Sequence, residues 1–341
     1  MALLEVERLS VRLPGRAVRP VLDEVSLTVA AGEVVGLVGE SGSGKSMTAR
    51  SVLGLLPSGA QTDGVVSVGG VDVLCATAAQ LRDVRSSRAA MIFQDPRAGI
   101  NPMRRIGDFM TETIRRRPGV DRAAATARAE ELLEAVALPD PARHLRQFPH
   151  ELSGGMLQRV MIAAALAAEP ELLLCDEPTT ALDVTTQAEI LSILARLQAE
   201  RGLGVLFITH DLDLAAAICH RVYVMYAGRM VESATAADLF DRPQHPYTAG
   251  LLASTPDLAS GHDRLVPIPG QAPSLLDDPA GCAFAPRCPY ALDDPCRTAR
   301  PELRDVGPGR TSACSRVAQV GLELVGSRSP VAGMAASEEP A

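Results

Sequence analysis

The sequence of 341 residues predicts an α/β fold with a helical subdomain and a small, irregular, cysteine-rich C-terminal domain. Short β-like runs alternate with glycine and aspartate turns up to about residue 95, and helix and strand patterns alternate again between about 151 and 240. The intervening residues, about 97–150, are rich in Arg, Ala and Glu and have helical periodicity. From about residue 243, prolines become frequent enough to break any long element.

These changes in pattern predict the domain boundaries. A chain of this length can hold two domains, and its 47% apolar content is ample for a buried core. The last residues are small and polar, which is typical of a disordered tail. We expect an α/β domain at 1–242 with its helical subdomain at about 97–150, a second domain at 243–316 and a disordered tail at 317–341.

Charge and aromatic content argue against a nucleic-acid partner. The net charge is −8, and aromatic residues make up 3% of the chain with no Trp. The protein therefore offers no basic face and few platforms for stacking bases. Acidic residues near the N-terminus are atypical of a signal peptide, and no apolar run reaches the roughly 18 residues of a membrane span. We expect a protein made in the cytoplasm that is soluble or peripheral to a membrane.

Residues 39–46 match the phosphate-binding pattern G-x-x-x-x-G-K-[ST], and Lys45 is the only lysine among 33 cationic residues. An arginine fork is too wide for the point-charge position between the β- and γ-phosphates that an ammonium fills. A short apolar run at 33–38 precedes the loop and a helical pattern at 46–56 follows it, which is the order that the motif needs. The sequence therefore predicts a nucleoside triphosphate site whose contacts are Gly39, Glu40, Ser41, Gly42, Ser43, Gly44, Lys45, Ser46 and Met47.

Two further segments point to phosphate chemistry. An apolar run ends in the carboxylate pair Asp176 and Glu177. This arrangement lets the first carboxylate hold Mg²⁺ together with the Ser46 hydroxyl, while the second acts as general base. Ser153 can cap a helix that runs to about Ala168, and the two glycines after it leave the N–H groups at the helix N-terminus open to an anion.

With these motifs the chain resembles the nucleotide-binding subunit of an ABC transporter. Five motifs of that family occur in the family's order: the P-loop, a glutamine after a strand (Gln94), the LSGG-Q signature, the carboxylate pair and the Ile-Thr-His-Asp run at 208–211. The resemblance covers residues 1 to about 240 and implies an ABC-type P-loop ATPase core. It also implies that the signature of one subunit closes over ATP held by the P-loop of another.

The resemblance assigns roles to individual residues. It implies that Gln94 contacts Mg²⁺ and the attacking water, that His210 contacts the γ-phosphate, and that residues 180–183 form a D-loop across the dimer interface. The implied catalytic residues are Glu177, His210 and Gln94. The implied Mg²⁺ ligands are Ser46, Gln94 and Asp176. The implied contacts from the second phosphate-binding element and the D-loop are Ser153, Gly154, Gly155, Gln158 and Asp183.

The position that contacts the adenine base departs from that family. Members usually stack adenine on an aromatic side chain before the P-loop strand, yet no aromatic residue occurs before Phe93. A guanidinium of Arg12, Arg16 or Arg19 could stack on the ring instead. The sequence therefore predicts nucleotide binding but does not decide between ATP and GTP.

The segment after residue 243 resembles the C-terminal extension of ATPase subunits from dipeptide and oligopeptide ABC importers, in residues 243–252 and 267–273. Nickel importers share this extension, so a nickel or other small-solute importer is the alternative. The resemblance implies a peripheral subunit at the cytoplasmic face of the cell membrane. Its implied partners are two permease subunits, an extracytoplasmic binding protein and a second ATPase chain, either a homologue or a copy of this one. A non-transport ABC ATPase is disfavoured, because no long coiled coil separates the P-loop from the signature.

Four of the seven cysteines cluster in this segment. A reducing cytoplasm disfavours disulfides, and the spacings lack the C-x₂-C knuckle of common zinc sites. Four thiolates on a turn-rich chain suit an iron–sulfur cluster, which the importer resemblance also implies as [4Fe–4S]; zinc and no metal are the alternatives. Cys75, Cys175 and Cys219 lie in apolar runs and are expected in the core. The predicted metal ligands are Cys282, Cys288, Cys296 and Cys314.

Overall fold

A computed structural model gives the fold of the protein and describes residues 2–15, 17–116, 119–180, 182–254 and 267–318. Arg16, Ala181 of the predicted D-loop and the predicted tail beyond residue 318 lie outside the described residues. In the described part of the chain, no helix combines the length and the apolar character needed to cross a bilayer.

The described residues form two sheets. Their strands are β1 (Ala2–Arg12), β2 (Leu22–Ala30), β3 (Val34–Val38), β4 (Gln61–Val68), β5 (Val71–Asp72), β6 (Ala89–Ile92), β7 (Leu172–Asp176), β8 (Gly204–Thr209), β9 (Arg221–Tyr226), β10 (Arg229–Thr235), β11 (Arg304–Gly307) and β12 (Arg310–Ser312). The first sheet is antiparallel in the order β2-β1-β4-β5. The second has the order β11-β12-β10-β9-β3-β8-β7-β6.

The second sheet positions the predicted site because its central strands are parallel. Strands β6, β7, β8, β3 and β9 all run in one direction. Every residue of β7 and β8 is buried, as expected of strands covered on both faces. Parallel strands end at one edge of a sheet, which is where ligand sites of open α/β sheets form. The P-loop after β3, Asp176 at the end of β7 and His210 after β8 therefore meet at one edge.

Helices cover this sheet and build the insertion between β6 and β7. They are α1 (Lys45–Val52), α2 (Ala78–Asp83), α3 (Ile106–Ile114), α4 (Arg122–Ala135), α5 (Pro141–His144), α6 (Gly154–Leu166), α7 (Val184–Arg201), α8 (Leu212–Ile218), α9 (Ala236–Asp241) and α10 (Pro246–Ala253). Buried side chains on α3, α4 and α6, including Met110, Leu132 and Val160, belong to the same core as the sheet. The helical pattern predicted at about 97–150 corresponds to α3, α4 and α5, while the domain boundaries themselves stay predictions.

The helices and strands at the predicted site begin and end close to their predicted positions. Strand β7 matches the predicted apolar run. The helix predicted at 46–56 ends early, at Val52, because Gly54 adopts a left-handed φ of 62° and its N–H donates to the Ser51 carbonyl. The helix predicted after Ser153 ends at Leu166 rather than near residue 168. A turn follows, in which Glu169 has a left-handed φ of 48°.

The C-terminal segment shares the sheet and the core of the α/β part. Strand β12 pairs antiparallel with β10, and β11 pairs with β12, so the central sheet continues into this segment. Three buried rings meet at the junction: Tyr226 at the end of β9, Tyr247 on α10 and Phe284. Their centroids lie 4.6 to 5.4 Å apart. Burial of these aromatic side chains attaches the segment to the P-loop side of the sheet.

Candidate nucleotide-binding site

The P-loop connects β3 to α1 and packs closely enough to require glycine at two positions. Gly39 has a φ of 149° and Gly44 a φ of 111°. A Cβ on Gly39 would lie 2.1 Å from the carbonyl oxygen of Met225, and one on Gly44 would lie 2.7 Å from Leu22 Cδ2. Glycine therefore lets the loop bend back over the start of α1. This bend is what allows P-loop N–H groups to converge on a phosphate.

Lys45 begins α1 and is buried, with 5% of its surface exposed. Its Nζ donates to the carbonyl oxygens of Gly39 (2.7 Å) and Glu40 (3.0 Å). Burial lowers the pKa of the ammonium, although nearby carboxylates oppose that shift. Because an ammonium carries three protons, these two bonds leave capacity for a phosphate oxygen. The loop thus holds a compact cation where the motif predicts one.

Ser46 and Asp176 lie side by side at the base of the P-loop. Ser46 Oγ donates to Asp176 Oδ1 over 2.8 Å. Asp176 is 3% exposed, and burial raises the pKa of its carboxyl while the bond from Ser46 acts in the opposite direction. Mg²⁺ in phosphate sites uses one or two protein oxygens together with phosphates and water. The hydroxyl and the carboxylate therefore fit the Mg²⁺ that accompanies a nucleoside triphosphate.

Glu177 has three polar neighbours around one carboxylate oxygen, Oε2. Gln94 Nε2 donates to it over 3.1 Å, Thr180 Oγ1 donates over 2.9 Å, and His210 Nδ1 lies 3.2 Å away. The backbone of Glu177 has a φ of 48°, and its N–H donates to the carbonyl of Ile208 over 3.0 Å. Left-handed backbone at a non-glycine residue persists where the surroundings hold it, often at functional sites. The three predicted catalytic side chains are thus brought together.

One cavity of about 580 Å³ is lined by six of the nine predicted P-loop contacts and by all three predicted catalytic residues. Its volume lies within the roughly 300–1,000 Å³ of small-molecule sites. The predicted residues that line it are Ser41, Gly42, Gly44, Lys45, Ser46, Met47, Gln94, Glu177 and His210. Val21 and Thr180 also line it. No motif marks Val21, and Thr180 was expected only in the interface loop.

The signature residues form a second surface, which does not line this cavity. Ser153 caps α6 by accepting a hydrogen bond from Met156 N over 3.3 Å. Gly155 lies against the start of α7, because a Cβ there would be 2.5 Å from Thr186 Cγ2. The carboxylate of Asp183 accepts from Thr186 N (3.0 Å) and Thr186 Oγ1 (2.8 Å). The structure therefore joins the signature to the Asp183 end of the D-loop within one subunit, and neither the signature residues nor Asp183 line the P-loop cavity.

Two predicted contact residues are placed below the surface or turned away from the cavity. Gln158 is 1% exposed, and its Nε2 has no partner among the residues that the structure describes. Glu40 directs its carboxylate to Arg287, with oxygen–nitrogen distances of 2.8 and 2.9 Å. The Glu40 side chain therefore contacts the C-terminal segment, which no sequence motif indicated.

Two of the arginines considered for adenine stacking, Arg12 and Arg19, form hydrogen bonds elsewhere. Arg12 Nη1 donates to the Val18 carbonyl over 3.0 Å. All three guanidinium nitrogens of Arg19 donate to backbone carbonyls, those of Ala227, Pro273 and Ser274. Neither residue lines the cavity. Neither guanidinium is therefore placed to stack on a base in this cavity, whereas Val21, which also precedes the P-loop strand, does line it.

The four C-terminal cysteines line one small cavity of about 20 Å³. Over the described ranges, however, no group of three or more His, Cys, Asp or Glu side chains is arranged to hold a metal ion, so the iron–sulfur cluster is not confirmed. Cys175 and Cys219 are buried as predicted. The prediction for Cys75 is wrong: it is exposed, in a turn after β5 where Leu74 N donates to Asp72 Oδ1 over 3.1 Å.

The P-loop lies at the edge of a parallel sheet, beside Ser46 and Asp176, which fit Mg²⁺, and beside the oriented carboxylate of Glu177. This combination defines a P-loop nucleoside triphosphatase. Residues 22–180 match the ABC transporter family, and residues 231–296 match the oligopeptide/dipeptide transporter C-terminal region. The chain belongs to the ABC transporter ATP-binding protein family, and it is an ATPase of that type. ATP and Mg²⁺ are the substrate and metal expected of such a protein.

Known relatives are similar over nearly the whole chain. The probable peptide ABC transporter ATP-binding protein y4tR of Sinorhizobium fredii is 48% identical over 93% of this chain and 96% of its own length. The dipeptide transport ATP-binding protein DppD of Escherichia coli is 44% identical over 92% of this chain and 96% of its own. Among solved structures, the dimeric structure of MJ0796, a bacterial ABC transporter cassette, is similar with a TM-score of 0.62 at 27% identity. It matches 68% of this chain and 98% of its own.

Proposed function

We propose that this chain hydrolyses ATP to power the import of di- or oligopeptides through a membrane ABC transporter. The observation that carries the hydrolytic part is the convergence of Gln94, Thr180 and His210 on one oxygen of Glu177 in the lining of the P-loop cavity. The peptide part is supported by the C-terminal match at residues 231–296 and by the names of the similar transport proteins.

In this proposal Glu177 is the general base for the attacking water. Lys45 binds phosphate oxygens, and Ser46, Asp176 and Gln94 hold Mg²⁺, which neutralises charge on the phosphates when bound. The contacts from Gln94 and His210 fix the direction of the Glu177 carboxylate before water arrives. A base whose carboxylate is already oriented does not have to reorganise during proton transfer.

We propose that a second ATPase chain completes the site. Within one subunit the signature and Asp183 lie apart from the P-loop cavity, so a partner must supply that surface to the bound nucleotide. The similar cassette MJ0796 was solved as a dimer. The remaining proposed partners are two permease subunits and an extracytoplasmic binding protein, which place this chain at the cytoplasmic face of the membrane as a peripheral subunit.

Reconstitution tests the peptide assignment. In liposomes that contain this chain, a second ATPase subunit and the permeases, peptide-loaded binding protein is expected to raise ATP hydrolysis several-fold. The reason is that closure of the two subunits is coupled to the loaded transporter. The matched control is the same binding protein without ligand. Stimulation by nickel but not by peptides, measured in the same liposomes, would replace the peptide assignment with the nickel one.

We also propose that Cys282, Cys288, Cys296 and Cys314 bind a [4Fe–4S] cluster. Their convergence on one cavity supports this. Burial raises the pKa of the Cys282 and Cys314 thiols, and that of Cys288 to about 12, but backbone N–H groups at each sulfur act in the opposite direction. N–H groups directed at sulfur favour the thiolate, the form that iron and zinc bind. When bound, the cluster would tie together turns that contain many prolines.

Protein purified without oxygen is expected to be brown, to absorb broadly near about 400 nm and to contain about four iron atoms per chain. Cys296→Ser should lose the iron and destabilise the C-terminal segment, because metal binding is coupled to local folding. Cys75→Ser is the matched control, since Cys75 is exposed and outside the cavity. A colourless preparation with about one zinc per chain would assign the same four thiols to zinc instead.

A further inference from the structure

Glu40 of the P-loop is held by the C-terminal segment from two directions. Its carboxylate accepts two parallel hydrogen bonds from Arg287, Nη1 to Oε2 over 2.8 Å and Nη2 to Oε1 over 2.9 Å. Its backbone N–H donates to the Tyr247 hydroxyl over 2.8 Å. Its carbonyl oxygen accepts a bond from Lys45 Nζ over 3.0 Å. One P-loop residue therefore connects the phosphate-binding lysine to Arg287 and Tyr247.

Arg287 is fixed in a way that an ordinary surface ion pair is not. Only 7% of it is exposed. Its Nε donates to the Pro269 carbonyl over 2.8 Å, and its Nη1 donates to the Tyr226 hydroxyl over 3.2 Å. Its Cζ lies 5.7 Å from the ring centroid of Tyr226 and 5.9 Å from that of Phe284. A planar guanidinium bound on its edges and beside two rings presents its fork to Glu40 in one orientation.

Tyr247 is anchored through the start of α10. Buried Glu232 on β10 accepts hydrogen bonds from Gln244 N (2.6 Å) and His245 N (2.9 Å), immediately before the helix. Tyr247 itself has no exposed surface and packs 4.6 Å from the ring of Tyr226. The position of the Tyr247 hydroxyl that contacts the P-loop is therefore fixed by residues of the central sheet.

We propose that Arg287 and Tyr247 are positioning residues for nucleotide binding, which act through Glu40 on the P-loop; the inference rests on the proposed ATP site. Without Arg287, the Glu40 carboxylate would be an unpaired negative charge within the phosphate-binding loop. It would repel the triphosphate and compete with it for the Lys45 ammonium, two effects that are large near a partly buried site. The bidentate pair neutralises that charge and keeps the Glu40 carbonyl directed at Lys45.

The turn that carries Arg287 also carries two cysteines of the small cavity. It spans Cys282 to Cys288, with Ala285 N donating to the Cys282 carbonyl over 3.0 Å and Cys288 N donating to the Ala285 carbonyl over 3.3 Å. One short turn therefore places Arg287 against the P-loop and two thiols against the cavity. This geometry joins the cysteine-lined region to the phosphate site through one side chain.

Arg287→Met in the full-length chain tests the proposal, because it keeps an unbranched stem but removes the charge and the fork. The expected result is an increase of about tenfold in KM for ATP and in Kd for Mg-ATP, with kcat changed by less than about threefold. Adding Glu40→Gln to this variant should recover at least about threefold of the lost affinity, because the unpaired acid is then gone. A double variant no better than Arg287→Met would overturn the electrostatic argument.

Arg297→Met is the matched control. Arg297 lies in the same segment and forms an exposed ion pair with Asp293, so the KM of this variant for ATP should stay at the wild-type value. Lower thermal stability of Arg287→Met with unchanged KM would reduce Arg287 to a structural residue and overturn the proposal. If Arg287→Met does not fold, Arg287→Lys replaces it in the test. The KM for ATP of Arg287→Lys is expected to rise about threefold, because lysine keeps the charge but lacks the fork. A wild-type chain that fails to bind Mg-ATP would instead contradict the proposed function itself.

Discussion

Replacing Glu177 with Gln is expected to lower steady-state ATP hydrolysis by roughly a hundredfold or more, with ATP binding retained. The amide keeps the shape of the side chain and its contacts with Gln94 and Thr180, but it cannot accept the proton of the attacking water. ATP should therefore accumulate in a closed dimer. Single-turnover hydrolysis and size-exclusion chromatography with Mg-ATP measure the two effects.

Glu171→Gln is the matched control for that variant. Glu171 precedes the same strand at its opposite end and is exposed, so the same exchange there should leave hydrolysis near the wild-type rate. Hydrolysis by the Glu177→Gln variant within about threefold of wild type would remove Glu177 from the role of general base. His210, the other titratable group at that oxygen, would then be the candidate for the general base.

Replacing Lys45 with Arg is expected to weaken ATP binding by about a hundredfold, which corresponds to about 2.7 kcal/mol. The ammonium occupies a buried position between two loop carbonyls, at 2.7 and 3.0 Å. A guanidinium is wider and planar, so it cannot take that position without moving the carbonyls of Gly39 and Glu40. Equilibrium binding of a fluorescent ATP analogue measures the loss, and the stabilisation of the fold by Mg-ATP should vanish with it.

Arg196→Lys is the control for Lys45→Arg, because it also exchanges one cationic residue type for the other, but outside the P-loop. Arg196 lies half-exposed on α7 and pairs with Glu200. This variant should bind ATP as the wild type does. Wild-type affinity in the Lys45→Arg variant would contradict the assignment of Lys45 to the phosphates.

The phosphate site was predictable from the sequence because its parts are local. The strand, the glycine loop and Lys45 are adjacent in the chain, so the order of residue types is enough to predict a strand, a phosphate-binding loop and a helix in succession. The pair Asp176 and Glu177 follows a strand that the pattern of apolar residues also reveals. The resemblance to the ABC family assigned these separate motifs to one ATP site, and in the structure they meet because the parallel strands that carry them end at one edge of the sheet.

The connections between the P-loop and the C-terminal segment were not predictable. Glu40 and Arg287 are 247 residues apart, and nothing in the spacing of either pairs them. Arg19 binds backbone carbonyls, which every residue carries, so no residue type marks its partners at Pro273 and Ser274. Among the described residues after 243, no element is longer than the eight residues of α10, as the prolines predicted, but nothing in the sequence marked the two short strands β11 and β12.

The pairing of β12 with β10 has a consequence for how this protein behaves at high concentration. Without β12, the row of N–H and C=O groups along β10 would be an open edge next to buried apolar residues such as Met230 and Ala234. Open edges of that kind recruit strands from other molecules. The new outer strand, β11, is four residues long and mostly exposed, with charges at Arg304 and Asp305. A chain shortened before β11 should therefore self-associate by edge-to-edge strand addition, whereas the longer chain ends its sheet in a short, charged strand that discourages it.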